Sequence, residues 1–367
     1  MTKKLSAALL AALCPFALSA SAATVDLYGV LDTGLTYTHV KNGDDTLEMT
    51  SGNYAGPRWG LRGSEKVSDD LTVSFVLESG FADDTGAHAK SGTLFNRESQ
   101  LALSGSWGKF GAGRVGAFSS GSSSLSWYWD LEPFETGYID AGVQGTQQNV
   151  WLLHSNTFYY ISPAFGGAKL GLQYGMNDRA DDEEEHFSHN NSWFNAALRW
   201  DGTQTRALAA VESTIMGNAT DRKDQWSVKL AGAWQPAGTA WTLYAGANWY
   251  KNFRTFSDAT WDGDLTDADF DDSGKSLEGI SGFLGVKYTM GPTDLLGMVQ
   301  YLDGENKGAL AGAEKDYSRT VVSIGLHHHL SKRTMIYAIG SWADGEDLLE
   351  DNATNRVMAH FGITHFF

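Results

Sequence analysis

Four carboxylates, Asp130, Glu132, Glu135 and Asp140, fall in one stretch that also carries Trp127, Tyr128, Trp129, Phe134 and Tyr138. Acids at this density would present negative charge to passing ions, and the rings between them would give the stretch something to pack with. The connection that holds them, 118–156, is far longer than an ordinary loop, and a loop of that length in a compact fold is usually functional or disordered. A solvated acidic surface loop is the plainer alternative. Other constellations carry less. His327, His328 and His329 are adjacent, and neighbours in a strand point to opposite faces, so solvated imidazoles in a turn are expected there and not a metal. Asp267, Asp269, Asp271 and Glu278 have calcium-loop offsets, yet Asp272 stands where such a loop needs glycine. The run 181–185 reads as a solvated loop tip. His154 and Ser155 are adjacent with no recognisable third partner, and no G-x-S-x-G occurs, so catalysis is not expected.

Export and periodicity set the framework that holds the acidic stretch. Residues 1–22 have Lys3 and Lys4, an apolar run and the small-residue site Ala20-Ser21-Ala22, the pattern of a cleavable signal peptide. Residues 23–367 would then form the mature domain. The single cysteine, Cys14, leaves with that leader, so no disulfide framework and no thiolate metal site remains. The formal net charge is −17, a poor basis for binding nucleic acid. No later segment offers 18 consecutive apolar residues, which excludes helical spans and leaves a closed β-barrel as the way for this chain to cross a membrane.

Period-two alternation supplies the strands. The last residues, 355–367, put Val357, Ala359, Phe361, Ile363 and Phe367 on one face, and the same rhythm recurs along the chain. Sixteen strands are predicted: 25–38, 58–64, 71–81, 95–104, 109–117, 157–161, 168–176 and 192–200, then 205–215, 225–234, 240–250, 277–288, 295–302, 317–328, 333–342 and 355–367. A bare loop runs between the first two, up to Ala55. Long polar loops alternate with short Gly, Pro and Asp turns, and an even count places both termini on the short-turn side. Trp193, Trp200, Trp226, Trp234, Trp241, Trp249 and Tyr250 fall at strand ends, where amphipathic rings would mark the membrane interfaces. A soluble sandwich or propeller with tryptophan in its core is the competing architecture.

Several blocks resemble the general porins of Gram-negative outer membranes, of the betaproteobacterial and neisserial type: VDLYGVLDTGL (25–35), RWGLRGSEKVSDDLTVSFVLESGF (58–81), LFNRESQLALSGSWGKFGAGR (94–114) and YISPAFGGAKLGLQYG (160–175), with the aromatic terminus. The resemblance implies an all-β, 16-stranded antiparallel transmembrane β-barrel in the outer membrane. It implies a homotrimer whose third long loop folds into the lumen, with no cofactor and no metal. Outer-membrane lipid, lipopolysaccharide and the barrel-assembly machinery would be its partners, small hydrophilic solutes and ions its cargo, and both termini periplasmic. Phe367 matches the family's assembly signal. DLEPFETG resembles the family's acidic constriction segment, which favours Asp130 with Glu132 or Glu135 as the acidic wall.

Opposite such a wall the family places basic residues. Arg58 matches the second-strand arginine, and alternation from Trp59 and Leu61 puts Arg58 and Arg62 in the lumen. Arg97 matches the fourth-strand arginine but shares parity with Leu101 and Leu103, which requires a bulge or a place above the membrane band. Arg114 matches the Gly-Arg before the third loop and could equally pair with a loop carboxylate. Val30 and Tyr159 stand where relatives carry basic groups. With Glu78 and Asp32 added to the acids, the expected function is a diffusion porin, weakly selective or mildly cation-preferring. A receptor or adhesin barrel with no conducting role is the alternative.

Overall fold

The computed structural model describes residues 24–176, 191–217, 222–257, 270–350 and 354–367. The leader, the acidic run at 181–185, and Asp267 and Asp269 lie outside them. Seventeen strands form one antiparallel sheet in chain order. They are β1 (Thr24–Val40), β2 (Asp45–Ser51), β3 (Arg58–Ser68), β4 (Leu71–Gly80), β5 (Glu98–Gly105), β6 (Gly108–Gly116), β7 (Leu153–Ile161), β8 (Ala168–Met176) and β9 (Ser192–Asp201). After them come β10 (Thr205–Ile215), β11 (Gln225–Trp234), β12 (Trp241–Phe253), β13 (Leu277–Met290), β14 (Thr293–Asn306), β15 (Asp316–His329), β16 (Thr334–Asp347) and β17 (Arg356–Phe366). Strand β1 pairs with β17 along one edge, and with β2 and then β3 along the other, so the sheet closes on itself.

The barrel has sixteen staves, because β2 and β3 are two pieces of one: β2 faces the upper half of β1 and β3 the lower half. The bare loop expected before the second stave is thus corrected, since DTLEMTS within it is strand. The stave breaks at 52–57, where Gly52 takes a left-handed backbone with φ of 77° and the amide of Gly52 bonds back to the Asp32 carbonyl. Asp32 fills the gap. Its carboxylate accepts the amides of Tyr54 (2.6 Å) and Ala55 (2.7 Å) and the hydroxyl of Tyr337 (2.8 Å), so it serves the wall and not the open pore.

Alternation sorts the side chains. Leu27, Leu284 and Ile324 are 64%, 71% and 69% exposed, while Gln100, Gln173, Asn195, Asn248 and Gln300 on the opposite face are buried. An apolar outside around a polar inside is the amphipathicity a barrel needs in lipid. Trp200, Trp234 and Trp241 stand exposed at the short-turn end, and Trp226 and Trp249 at the other. Trp226 and Trp234 are eight residues apart, roughly 26 Å along a strand and less along the membrane normal once it tilts, which suits the two edges of an apolar band. Trp193 and Tyr250 depart from that expectation: both point inward and are buried.

At the seam Phe367 exchanges both backbone hydrogen bonds with Gly29, each 3.1 Å. Its ring lies over Gly29, where an added Cβ would come within 2.4 Å of the ring and 2.5 Å of the Arg58 carbonyl oxygen. Only glycine leaves that space. Gly29→Val should therefore destabilise the barrel by roughly 1–3 kcal/mol, as overpacking does, and lower the temperature at which the folded gel band is lost. An unchanged transition temperature would show that the ring is free to move aside.

Candidate functional site

The segment between β6 and β7 carries a buried aromatic cluster. Phe118, Tyr128, Leu131, Phe134 and Tyr138 are fully buried there. The segment hydrogen-bonds to the polar face of the wall nearly all the way round. The Phe118 amide bonds to Gln173 on β8 (3.0 Å), and Lys229 on β11 donates to the carbonyls of Ser119 (3.2 Å) and Asn149 (2.7 Å). The Gln148 amide reaches Asn248 on β12 (3.1 Å), and Thr146 reaches Gln300 on β14 (2.9 Å). The Tyr138 amide donates to the carbonyl of Asn53 in the broken stave (2.5 Å). Backbone groups that regular strands would satisfy within the ladder are met here by side chains.

Charge fixes the loop at two points. Asp140 is fully buried and takes Arg319 of β15 (2.9 Å) and Arg356 of β17 (2.6 Å). Asp130, in the 3₁₀ turn Trp129–Leu131, accepts both terminal nitrogens of Arg199 on β9 (3.0 and 2.8 Å) and one from Arg206 on β10 (2.7 Å). Arg199 also holds the Trp127 carbonyl (2.6 Å) and Asp201 (2.7 Å). Between these anchors Glu135, Thr136, Tyr138 and Ile139 all have φ of 50–61°, a left-handed run that costs on the order of 1–3 kcal/mol per residue and persists only when its surroundings hold it.

Glu132 is fully buried and bonds to the amides of Phe134 (2.7 Å) and Thr136, so it shapes its own turn and presents no charge to open space. Burial pushes its carboxyl up to about 8, against the downward pull of those two amides. Of the three acids expected to form the constriction wall, only Glu135 lines the open cavity, where it accepts the hydroxyl of Tyr54.

That cavity, of about 520 Å³, lies between the loop and the β1, β3, β4 and β5 side of the wall. Arg58, Arg62 and Arg97 line it, as do Glu78, Glu98 and Glu135. Arg58 and Arg97 meet on one carboxylate, Glu78, at 3.4 and 2.7 Å, and Tyr28 donates to it at 3.0 Å. Arg62 is 60% exposed, 3.7 Å from Asp26 and 5.1 Å from the Tyr28 ring centre. The parity difficulty at Arg97 has a simple cause: Arg97 precedes the first residue of β5, so its side chain is not bound by strand alternation and turns in to Glu78.

Several partners were missed. Arg199, Arg206 and Arg356 gave no signal in sequence, because their carboxylates come from a loop distant in the chain. Glu98 was also missed, although the inward parity of Gln100 and Ala102 gives its side. His327 corrects the expectation of a solvated turn, for it is buried within β15 and hydrogen-bonded to the Tyr138 hydroxyl at 2.8 Å. His154 lies flat on Trp193 at 3.8 Å, and Arg114 bonds to Ser155 (2.9 Å) and to the Asn96 carbonyl (2.6 Å). Among the described residues no group of three His, Cys, Asp or Glu is placed to hold a metal.

Apolar residues facing out and polar residues facing in on a closed antiparallel sheet define a transmembrane β-barrel. A family model described as Gram-negative porin matches residues 6–348, and the chain belongs to that family. It is 30% identical to an outer membrane porin protein of Bordetella pertussis over 99% of each chain. It is 25% identical to major outer membrane protein P.IB of Neisseria meningitidis over 99% of this chain and 98% of the other. Among solved structures, the anion-selective porin from Comamonas acidovorans matches with a TM-score of 0.69 at 21% identity, over 94% of this chain and all of that one. A trimer form of the Vibrio cholerae outer membrane protein OmpT matches at 0.60 and 17%, over 95% and 100%. The protein is thus an outer-membrane diffusion porin, a channel and not an enzyme.

Asp140 is the fully buried one of the loop's two charged anchors. Burial alone would raise its carboxyl, but the charges of Arg319 and Arg356 outweigh burial and hold it below the ordinary aspartate range. Its stabilisation is therefore whole above about pH 4 and fades as pH falls toward the lowered folded value. Asp140→Asn leaves Arg319 buried without a counter-charge and should cost roughly 3–5 kcal/mol. Thermal unfolding in detergent would read this as a lowered transition at neutral pH, with the difference from wild type shrinking in strong acid. Equal stability at neutral pH would show that the anchor lies elsewhere.

Proposed function

We propose that the loop between β6 and β7 is the channel's constriction, folded into the lumen, and that water, ions and small hydrophilic solutes pass through the space it leaves along β1 to β5. The observation that carries this reading is the asymmetry of the loop's attachment. Most of its bonds run to staves from β8 to β17 and to the break in the second stave; on the β5 side Ser122 and Ser124 bond to Arg97, Glu98 and Gln100, and the cavity remains open between those contacts and the arginine-bearing wall. A surface receptor or adhesin has no use for a charged interior of this kind, so conduction is the favoured reading.

The same geometry supports weak ion selectivity better than a mild cation preference. Asp130, Glu132 and Asp140 are each committed to arginines or backbone amides. The cavity itself carries three arginines against three glutamates, and low-dielectric walls make such nearby charges outweigh those of distant loops. The trimer form of the Vibrio cholerae neighbour supports a homotrimer here, and lipopolysaccharide, outer-membrane lipid and the barrel-assembly machinery are the partners proposed with it. In this arrangement the short turns and both termini face the periplasm, residues 1–22 are the removed leader, and Phe367 serves as the assembly signal.

Reversal potentials of the purified protein across a salt gradient test the charge placement. Arg58→Ala should raise the cation-to-anion permeability ratio. Asp130→Asn, which releases Arg199 and Arg206, should lower it. Each shift should be on the order of two- to five-fold, the Coulomb effect of one charge about 8–10 Å from an ion in water. Shifts of the opposite sign would move the constriction to another part of the barrel, and absence of any conductance would return the receptor reading.

Assembly is testable separately. Mass measurement after mild detergent extraction should give a trimer. Deleting Phe367 should lower the amount in the outer membrane while leaving periplasmic export intact. Unchanged surface levels would remove the role assigned to that residue.

A further inference from the structure

Trp129 is out of keeping with the rest of the loop. Phe118, Tyr128, Phe134 and Tyr138 are fully buried, Trp127 nearly so, and Trp151 is half-buried at the cavity, whereas Trp129 is 45% exposed and lines the cavity. It is not there through looseness of the backbone. On one side of it in sequence, Tyr128 is buried with its hydroxyl on Gln147 (2.6 Å), and on the other Asp130 is clasped by Arg199 and Arg206. An indole held in water on a fixed turn forgoes the stabilisation that burial gives its neighbours, and offers a flat apolar face to whatever enters.

The wall of the same cavity offers the complementary chemistry. Arg58 uses Nε toward Glu78 and Nη1 on the Gly56 carbonyl (2.8 Å). Arg97 uses Nε on Glu78 and Nη2 on the Ser122 carbonyl (2.8 Å). One terminal nitrogen of each, Nη2 of Arg58 and Nη1 of Arg97, donates to nothing among the described residues. The three acids of the cavity already have partners: Glu78 has these arginines and Tyr28, Glu98 has Ser124 and Gln100 and is fully buried, and Glu135 accepts the Tyr54 hydroxyl. Two prepositioned guanidinium groups with donors to spare, lining one cavity with an exposed indole, suit a planar anion joined to an apolar ring.

On the reading that solutes pass through this cavity, we infer that it favours organic anions in which a carboxylate is attached to a flat apolar ring, with Arg58 and Arg97 taking the carboxylate and Trp129 the ring. Trp129 is then the specificity-determining residue. An aliphatic carboxylate gains only the arginines. A neutral saccharide gains only the ring.

The test uses the full-length trimer in planar bilayers, with sodium benzoate, sodium acetate and glucose as probes. Free diffusion favours acetate, the smaller ion, so a benzoate-to-acetate permeability ratio above one in wild type supports the inference. So does benzoate reducing the chloride current when acetate and glucose do not. Trp129→Ala should lower the ratio about three- to ten-fold, the span of ring–ring contact energies, and Trp129→Phe should restore most of it. A ratio below one in a wild-type channel that conducts potassium chloride overturns the inference and leaves the porin reading intact. Equal ratios in the Ala and Phe variants show that the ring is not used. Glucose blocking in place of benzoate makes this a saccharide site and overturns the inference as stated, whereas a wild-type protein that conducts nothing removes both readings together.

Discussion

A bilayer offers no partner to a backbone amide, so each stave of the wall must find its hydrogen bonds in its neighbours. The pairing of β1 with β17 on one edge and with β2 and β3 on the other is how this chain meets that demand. Everything else is arranged around closure. Alternation must then send one set of side chains to lipid and the other inward, and a sixteen-staved wall encloses more space than its inward side chains fill. The loop between β6 and β7 bonds to the inward polar face of the wall and leaves a cavity open beside the arginines. The molecule consequently keeps its aromatic core inside the polar face of a sheet, with the lipid-facing side left bare.

Inward polar residues divide between two duties. Gln173, Lys229, Asn248, Gln300, Arg319 and Arg356 hold the loop, chiefly by its backbone groups and Asp140. Arg58, Arg62 and Arg97 face the space that is left. The division explains how a chain with a formal net charge of −17 can have a cavity in which cations and anions are matched. Asp130 and Asp140 are matched by wall arginines and Glu132 by backbone amides, which leaves Glu135 as the loop acid at the cavity.

The wall was largely legible in the sequence, because period-two alternation is local and recurs sixteen times. Ala168–Met176, Thr205–Ile215 and Gln225–Trp234 end where the alternation ends. The upper part of the second stave was not legible: DTLEMTS offers only Leu47 and Met49 as outward apolar residues, too few to stand out from a polar loop. The site was legible in its residue types and not in its pairings. Asp130 and Asp140 could be assigned to the interior from the loop's length and aromatics, but that they meet Arg199, Arg206, Arg319 and Arg356 depends on which staves the loop crosses, a property of the closed barrel. His327 illustrates the same limit. Its neighbours suggested a wet turn, and only the register of β15 against β16, with Tyr138 arriving from the loop, makes it an interior hydrogen-bonding group.

The seam where Phe367 meets Gly29 also dictates an order of events. Contacts between neighbouring staves can form as soon as two consecutive strands exist, but β1 has its second partner only when β17 is present. Until then both outer strands carry unmet amides and carbonyls, which hydrocarbon penalises and water or another chain would readily accept. Partial insertion therefore gains little, and the sheet is poised to enter the bilayer as one cooperative unit after the whole polypeptide has been made. The contact most remote in the chain sets the pace, and an unclosed precursor has to be shielded from its own kind for as long as that contact is missing.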